Sequence, residues 1–375
     1  MIGKPATFTA TAVTSAVTTA VTSAVMILGC TWAIAVARYG GPDEPAHVIR
    51  AAAAAHGDLL GKPVEGFEPG YRQVTVAAPL ATGDPACFRH SASSTAECAV
   101  VTNEPGDRDV ATSAGSAPPW YYVVVGTVAR MFSSGRTVLA QRMAAVVLCS
   151  LILGYALTRG LRSGAGAWVL IALTPSAWFL LGVVGTSGIE IALVTVALVE
   201  SVERFGASAR SAAIERVTIP LALCLLLRPT ALIDVALVAL VVTPTLPRPT
   251  TRSVVRLVLP FVATGLAWVA WSAWAGVDLA DRRTADTRSP ASALSNSLSD
   301  IPTTAHQAIG ALGWNEYFAP LLAQVIWVGV LAVAVHRVVR RGVRWQRYWH
   351  ICWLAAALLL PTAVEVFVHR SIGQV

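Results

Sequence analysis

Charge is scarce in this chain. Asp, Glu, Lys and Arg together supply 13% of its 375 residues, about half the share of a soluble domain, while 55% are hydrophobic. That shortage excludes an ordinary water-soluble fold and leaves an integral membrane protein. The net charge of +7 is scattered as loop clusters between apolar runs, not along one basic face, which argues against nucleic acid as a partner. Also missing are a Walker loop, a dinucleotide fingerprint and a serine nucleophile elbow, so soluble nucleotide chemistry has no site. Cysteine is sparse, at six. Cys30, Cys149, Cys224 and Cys352 fall inside apolar runs, where a free thiol behaves as a small hydrophobe. Cys87 and Cys98 share one polar loop, where an oxidising compartment permits a disulfide.

What is abundant is apolar sequence in blocks. Runs that approach the ~20 residues needed to cross a bilayer lie at 12–37, 137–158, 164–184, 188–202, 254–275, 318–336 and 347–368. The loops 159–163, 203–216, 245–256 and 336–347 carry 13 Arg against two Glu, Glu203 and Glu215, and the positive-inside rule places them in the cytoplasm. The region 217–244 is apolar between two such loops, so the chain must cross twice there or dip and return. Arg228-Pro229 is the natural turning point, because proline lacks a donor and disfavours helix just before it. The expected architecture is an all-α polytopic bundle, a single membrane domain over 1–375 with about nine crossings in the plasma membrane. Its N-terminus is cytoplasmic, 39–136 is a long first extracytoplasmic loop with short interfacial helices, and 276–317 is a second. Residues 6–29, although Met26-Ile-Leu-Gly-Cys30 is faintly like a lipoprotein cleavage site, read as part of an uncleaved first span because the apolar run continues to Arg38.

The polar residues that interrupt this pattern are the candidate site. Pro42-Asp-Glu-Pro-Ala-His47 opens a short alanine-rich helix directly after the first span. Asp43 or Glu44 caps that helix on any reading; the functional reading adds that one caps while the other projects into a cavity as general base, with His47 and Arg50 nearby to bind substrate. Glu44 and His47 at i, i+3 could share a divalent metal, but no third ligand is evident, and no cofactor is otherwise indicated. Pro118-Pro-Trp-Tyr-Tyr122 begins an apolar stretch to Phe132, expected to lie in the outer interface, with Tyr121 and Tyr122 either an aromatic belt or a platform for a lipid-linked substrate. Arg142, Glu190, Arg228 and Asp234 fall within or at the edge of the spans, where ionisable groups are costly and face a cavity or a partner. Arg228 suits a phosphate or an internal pair with Asp234 or Glu190; Glu190 sits at a helix start after Gly185-Thr-Ser-Gly188. Trp268, Trp271 and Trp274 read as an anchor belt.

The order of these pieces, with Gln141-Arg142 entering a span, Thr174-Pro175 and Gly185-Thr-Ser-Gly-Ile-Glu190, resembles a family of bacterial predicted membrane proteins known as domain of unknown function 2142. That family is similar in layout to the GT-C glycosyltransferases. The resemblance implies a polyprenyl-phosphate sugar donor, a cell-envelope glycan, lipid or protein acceptor, and an acidic residue of the first outer loop as base. That role falls on Asp43, with Glu44 as alternate, and the donor phosphate falls to Arg228. A transporter or flippase of lipid-linked glycans, or a non-catalytic envelope scaffold, are the competing readings. Gly313-Trp-Asn-Glu-Tyr317 stands where relatives have Gly-Trp-Leu-Asp-Thr, and relatives continue where this chain stops at Ile372-Gly-Gln-Val375, which implies a truncated C-terminal end.

Overall fold

The computed structural model describes residues 6–341 except 68–69, 82–85, 90, 92, 100–103, 133–135, 207–213, 243–250 and 277–289. The expected span at 347–368 with Cys352, the chain end at 372–375 and parts of the expected Arg-rich loops lie outside the described residues.

The chain begins with α1 (Ala6–Ala35), rich in Thr, Ala and Val. Thr18 and Thr31 donate their hydroxyls to the carbonyls of Thr14 and Ile27 at 3.0 and 2.9 Å, which satisfies these polar groups within the helix itself. Then comes the segment that carries most of the site: α2 (Glu44–Ala55), β1 (Lys62–Pro63), β2 (Arg72–Ala77), β3 (Asp107–Thr112) and α3 (Trp120–Ala129). The three strands form one antiparallel sheet in the order β1-β2-β3, where only interfacial helices were expected. β2 has the alternation a one-sided sheet requires: Val74 and Val76 are buried and Thr75 between them is exposed. α2 lies on α3 across Gly126, where a Cβ would stand 2.0 Å from the carbonyl oxygen of Ala51. α3, at ten residues, is too short to span a bilayer.

α4 (Thr137–Ser163) packs along α1 and ends at Gly164 in the left-handed conformation (φ 78°). Gly154 makes that packing close, since a Cβ there would meet Thr22 Oγ1 at 2.1 Å; small residues at such crossings let membrane helices approach. The expected span 164–184 is instead two short helices, α5 (Gly166–Ala172) and α6 (Pro175–Leu181). The cause is local: Thr174 caps α6 by accepting from the Ala177 amide at 3.2 Å, and Pro175 sits where its missing donor costs nothing. α7 (Thr186–Gly206) follows at 116° to α6.

Region 217–244 breaks at the proline. α8 (Glu215–Leu227) stops before Arg228, a 3₁₀ turn covers Pro229–Ala231, and α9 (Leu232–Val242) resumes. α10 (Thr251–Ala275), α11 (Pro290–Gly310), the hairpin β4 (Ala311–Leu312) with β5 (Tyr317–Phe318), and α12 (Leu321–Arg341) complete the described chain. The fold is mostly helical. By length and apolarity, Ala12–Ala35, Thr137–Ser163 and Ser253–Ala275 can each cross a membrane, and α6 with α7 can form a fourth, broken span. Trp120–Ala129, Pro229–Leu240 and Leu321–Arg337 are apolar but shorter.

Candidate functional site

The turn after α1 decides where two neighbouring acids point. Asp43 adopts φ 55°, a left-handed conformation that Asp tolerates better than most side chains. Its carboxylate makes no capping hydrogen bond to α2 and is exposed. Glu44, one residue on, is fully buried. Both of its oxygens accept from Arg142, Oε1 from Nε and Oε2 from Nη2, each at 2.7 Å. They also take the backbone amides of Val184 at 3.0 Å and Gly41 at 3.2 Å. Arg142 directs its remaining donors to the carbonyls of Ala33, Val36 and Ala37 at 3.0, 2.7 and 2.7 Å, which are among the C-terminal acceptors a helix leaves open. This single node joins α1, α2, α4 and the turn before α7, so Glu44 is a structural anchor and Asp43 is the available acid.

Asp43 lines a cavity of about 300 Å³. His47 and Ala46 of α2, the segment from Ser113 to Pro118, Tyr122 of α3, Thr186 of α7, Leu227, Arg228 and Pro229 at the α8–α9 break, and Trp268, Trp271 and Ser272 of α10 share its wall. Among the described residues the charged side chains on that wall are Asp43 and Arg228. Arg228 reaches Glu190 of α7, Nε to Oε1 at 3.1 Å, with a second contact from Nη2 to Oε2. Glu190 is therefore the ion-pair partner of Arg228, and Asp234 of α9 is a second acid close enough to interact with it. The break at Pro229 brings this arginine to the cavity that the first loop also lines, although Asp43 and Arg228 are 185 positions apart in sequence.

A family described as predicted membrane protein, DUF2142, matches residues 26–375. The chain belongs to that family. No curated protein and no solved structure matches it.

The remaining expected residues divide between this DUF2142 cavity and its supports. His47 Nδ1 stands 2.8 Å from the Tyr122 hydroxyl, with the two rings stacked at 5.8 Å between centroids. Burial pushes the imidazole pKa down to about 4, Arg228 adds to that, and Asp43 and Glu44 oppose it; His47 is thus neutral at physiological pH. Burial raises the phenols of Tyr121 and Tyr122, so both keep their protons. Tyr121 does not reach the cavity; its hydroxyl accepts from the Gly185 amide at 3.3 Å. Arg50 is also a support: its guanidinium donates to the carbonyls of Asp58, Leu59 and Ala117 and lies over the Tyr122 ring at 5.7 Å. Cys87 and Cys98 are joined by a disulfide, with Cα atoms 6.1 Å apart. Among the described residues no three His, Cys, Asp or Glu side chains converge as a metal site would need.

Trp268 and Trp271, expected in an anchor belt, stand in the cavity wall. Trp268 and Trp271 occur at i and i+3 on α10, one face of a helix, with Ser272 beside them. The indole nitrogens donate to the carbonyls of Leu225 and, at 2.8 Å, Ser116. Arg72 of β2 holds the end of the same helix through Ala275 O at 2.6 Å.

Proposed function

We propose that this DUF2142 protein is a GT-C-like membrane glycosyltransferase, moving a sugar from a polyprenyl-phosphate donor to a hydroxyl of a cell-envelope glycan, lipid or protein. The observation that supports it is the meeting of one uncommitted carboxylate, Asp43, and one arginine, Arg228, on a single cavity whose far wall is the apolar helix α10. A lipid phosphate needs a cation at the membrane edge, and an attacking hydroxyl needs a base. In the proposed step Asp43 takes the acceptor hydroxyl proton as its oxygen bonds the anomeric carbon. The bond from that carbon to the phosphate oxygen breaks, and the polyprenyl phosphate leaves with the charge that Arg228 stabilises. Direct displacement inverts the anomeric centre. Glu44 and Arg142 hold the turn that aims Asp43; Tyr122 and neutral His47 floor the cavity. The reading carries with it about nine crossings, a cytoplasmic N-terminus and an extracytoplasmic site in the plasma membrane.

A flippase for the same lipid-linked glycans is the second reading, and the bend between α6 and α7 beside the break between α8 and α9 supports it, since transporters pair broken helices. Radiolabelled polyprenyl-phosphate sugars presented to reconstituted protein, with envelope acceptor, separate the two. The expected result is cleavage of the donor and labelled acceptor, with Asp43→Asn lowering turnover on the order of 10²-fold or more while donor binding persists. Donor that crosses the bilayer uncleaved identifies a flippase, and an Asp43→Asn variant as active as the parent removes Asp43 from the chemistry. A scaffold leaves the donor untouched.

A further inference from the structure

The cavity is small, and Tyr122, Trp268 and Trp271 are among its lining residues. At about 300 Å³ it lies at the low end for ligand sites, enough to take one sugar ring. Both indole N–H groups on its wall already donate to protein carbonyls, Trp268 to Leu225 and Trp271 to Ser116, so neither is available to a ligand as a donor. What the two side chains offer the cavity is ring carbon. Sugar C–H groups carry partial positive charge and pack on the negative face of an aromatic ring, while Ser113, Thr186 and Ser272 line the same cavity and supply hydroxyl-bearing side chains for a sugar's own hydroxyls.

Resting on the reading of this site as a donor pocket, we infer that Trp268 and Trp271 form its sugar-binding wall, taking one neutral pyranose ring against indole carbon with the donor phosphate toward Arg228. The ring is neutral because, among the described residues, the charge lining the cavity besides Arg228 is the Asp43 carboxylate, which repels an acidic sugar. The wall is fixed at both ends, by Arg72 at Ala275 O and by Thr264 Oγ1 at Ala222 O, 3.2 Å. These tryptophans therefore select the sugar and Arg228 selects the lipid phosphate.

Calorimetry on the full chain in nanodiscs tests this with four probes: farnesyl phosphate, its glucosyl and mannosyl derivatives, and its glucuronyl derivative. The parent should bind a hexosyl form more tightly than farnesyl phosphate and more tightly than the glucuronyl form. Trp271→Leu should lose roughly tenfold in affinity for the hexosyl probe and leave farnesyl phosphate unchanged. Trp271→Phe, which keeps a ring without the Ser116 hydrogen bond, should retain most of the sugar preference. Equal losses for sugared and sugarless probes in Trp268→Leu and Trp271→Leu overturn the inference, as does equal binding of the glucuronyl probe. A parent that binds none of the four overturns the donor-pocket reading itself, and this inference with it.

Discussion

Asp43 and Glu44 part company at one left-handed residue, and the division of labour in the site follows from that turn. A buried, bidentate Glu44–Arg142 pair leaves Asp43 as the acid that meets solvent in the cavity. His47 beside it is held neutral down to about pH 4 when folded, against 6.5 when unfolded. A group with a depressed pKa of this kind lets the unfolded state bind the extra proton, so its share of stability is complete above pH 6.5 and is lost as pH falls toward 4. Thermal melts of the detergent-solubilised protein across that range should show an acid-side decline that His47→Gln flattens; an unchanged slope would contradict the neutral assignment. The residues of the site were partly legible in the sequence. In so apolar a chain each charge is conspicuous, which brought forward Asp43 and Glu44 together with Arg142, Glu190, Arg228 and Asp234 but did not rank them. The pairing of Glu44 with Arg142 joins positions 98 apart, which no spacing rule reaches. Trp268 and Trp271 were visible as a stripe, but indoles at a span's end fit an interface belt equally well.

Elements here stand or fall on close backbone approaches. α2 and α3 meet at Gly126, with no room for a Cβ against the Ala51 carbonyl, and that contact sets His47 against Tyr122. Gly126→Ala should cost roughly 1–3 kcal/mol and lower the melting midpoint, whereas Gly265→Ala on α10, with nothing within 4 Å of its Cβ, should be neutral or slightly stabilising. Equal effects of the two substitutions would mean that the α2–α3 contact is looser than described. Proline explains both the element read correctly and one that was not. Arg228-Pro229 marks the break between α8 and α9, while Thr174-Pro175 divides α5 from α6 within the run 164–184. β2 had a readable alternation at Val74 and Val76; β3 begins Asp-Arg-Asp, three exposed residues, and carries no such signal until β2 is placed beside it.

On the scale of the whole molecule, a DUF2142 chain builds its cavity where a mixed loop region of helices and strands settles over the ends of membrane-length helices. The first loop contributes the acid, the α8–α9 break contributes the arginine, and α10 closes the side with tryptophan. Composition alone pointed to the membrane, because 13% charged against 55% hydrophobic residues leaves too little polar surface for a water-soluble fold. The site's depth and its third wall depended on long-range packing that periodicity does not encode. The most direct test is labelling of Asp43→Cys in intact cells with a membrane-impermeant maleimide, using the parent as the background. The thiol at position 43 should label from outside, and a polyprenyl-phosphate sugar should protect it. Labelling only after permeabilisation, or labelling indifferent to the donor, would contradict a lipid-phosphate site on the outer face.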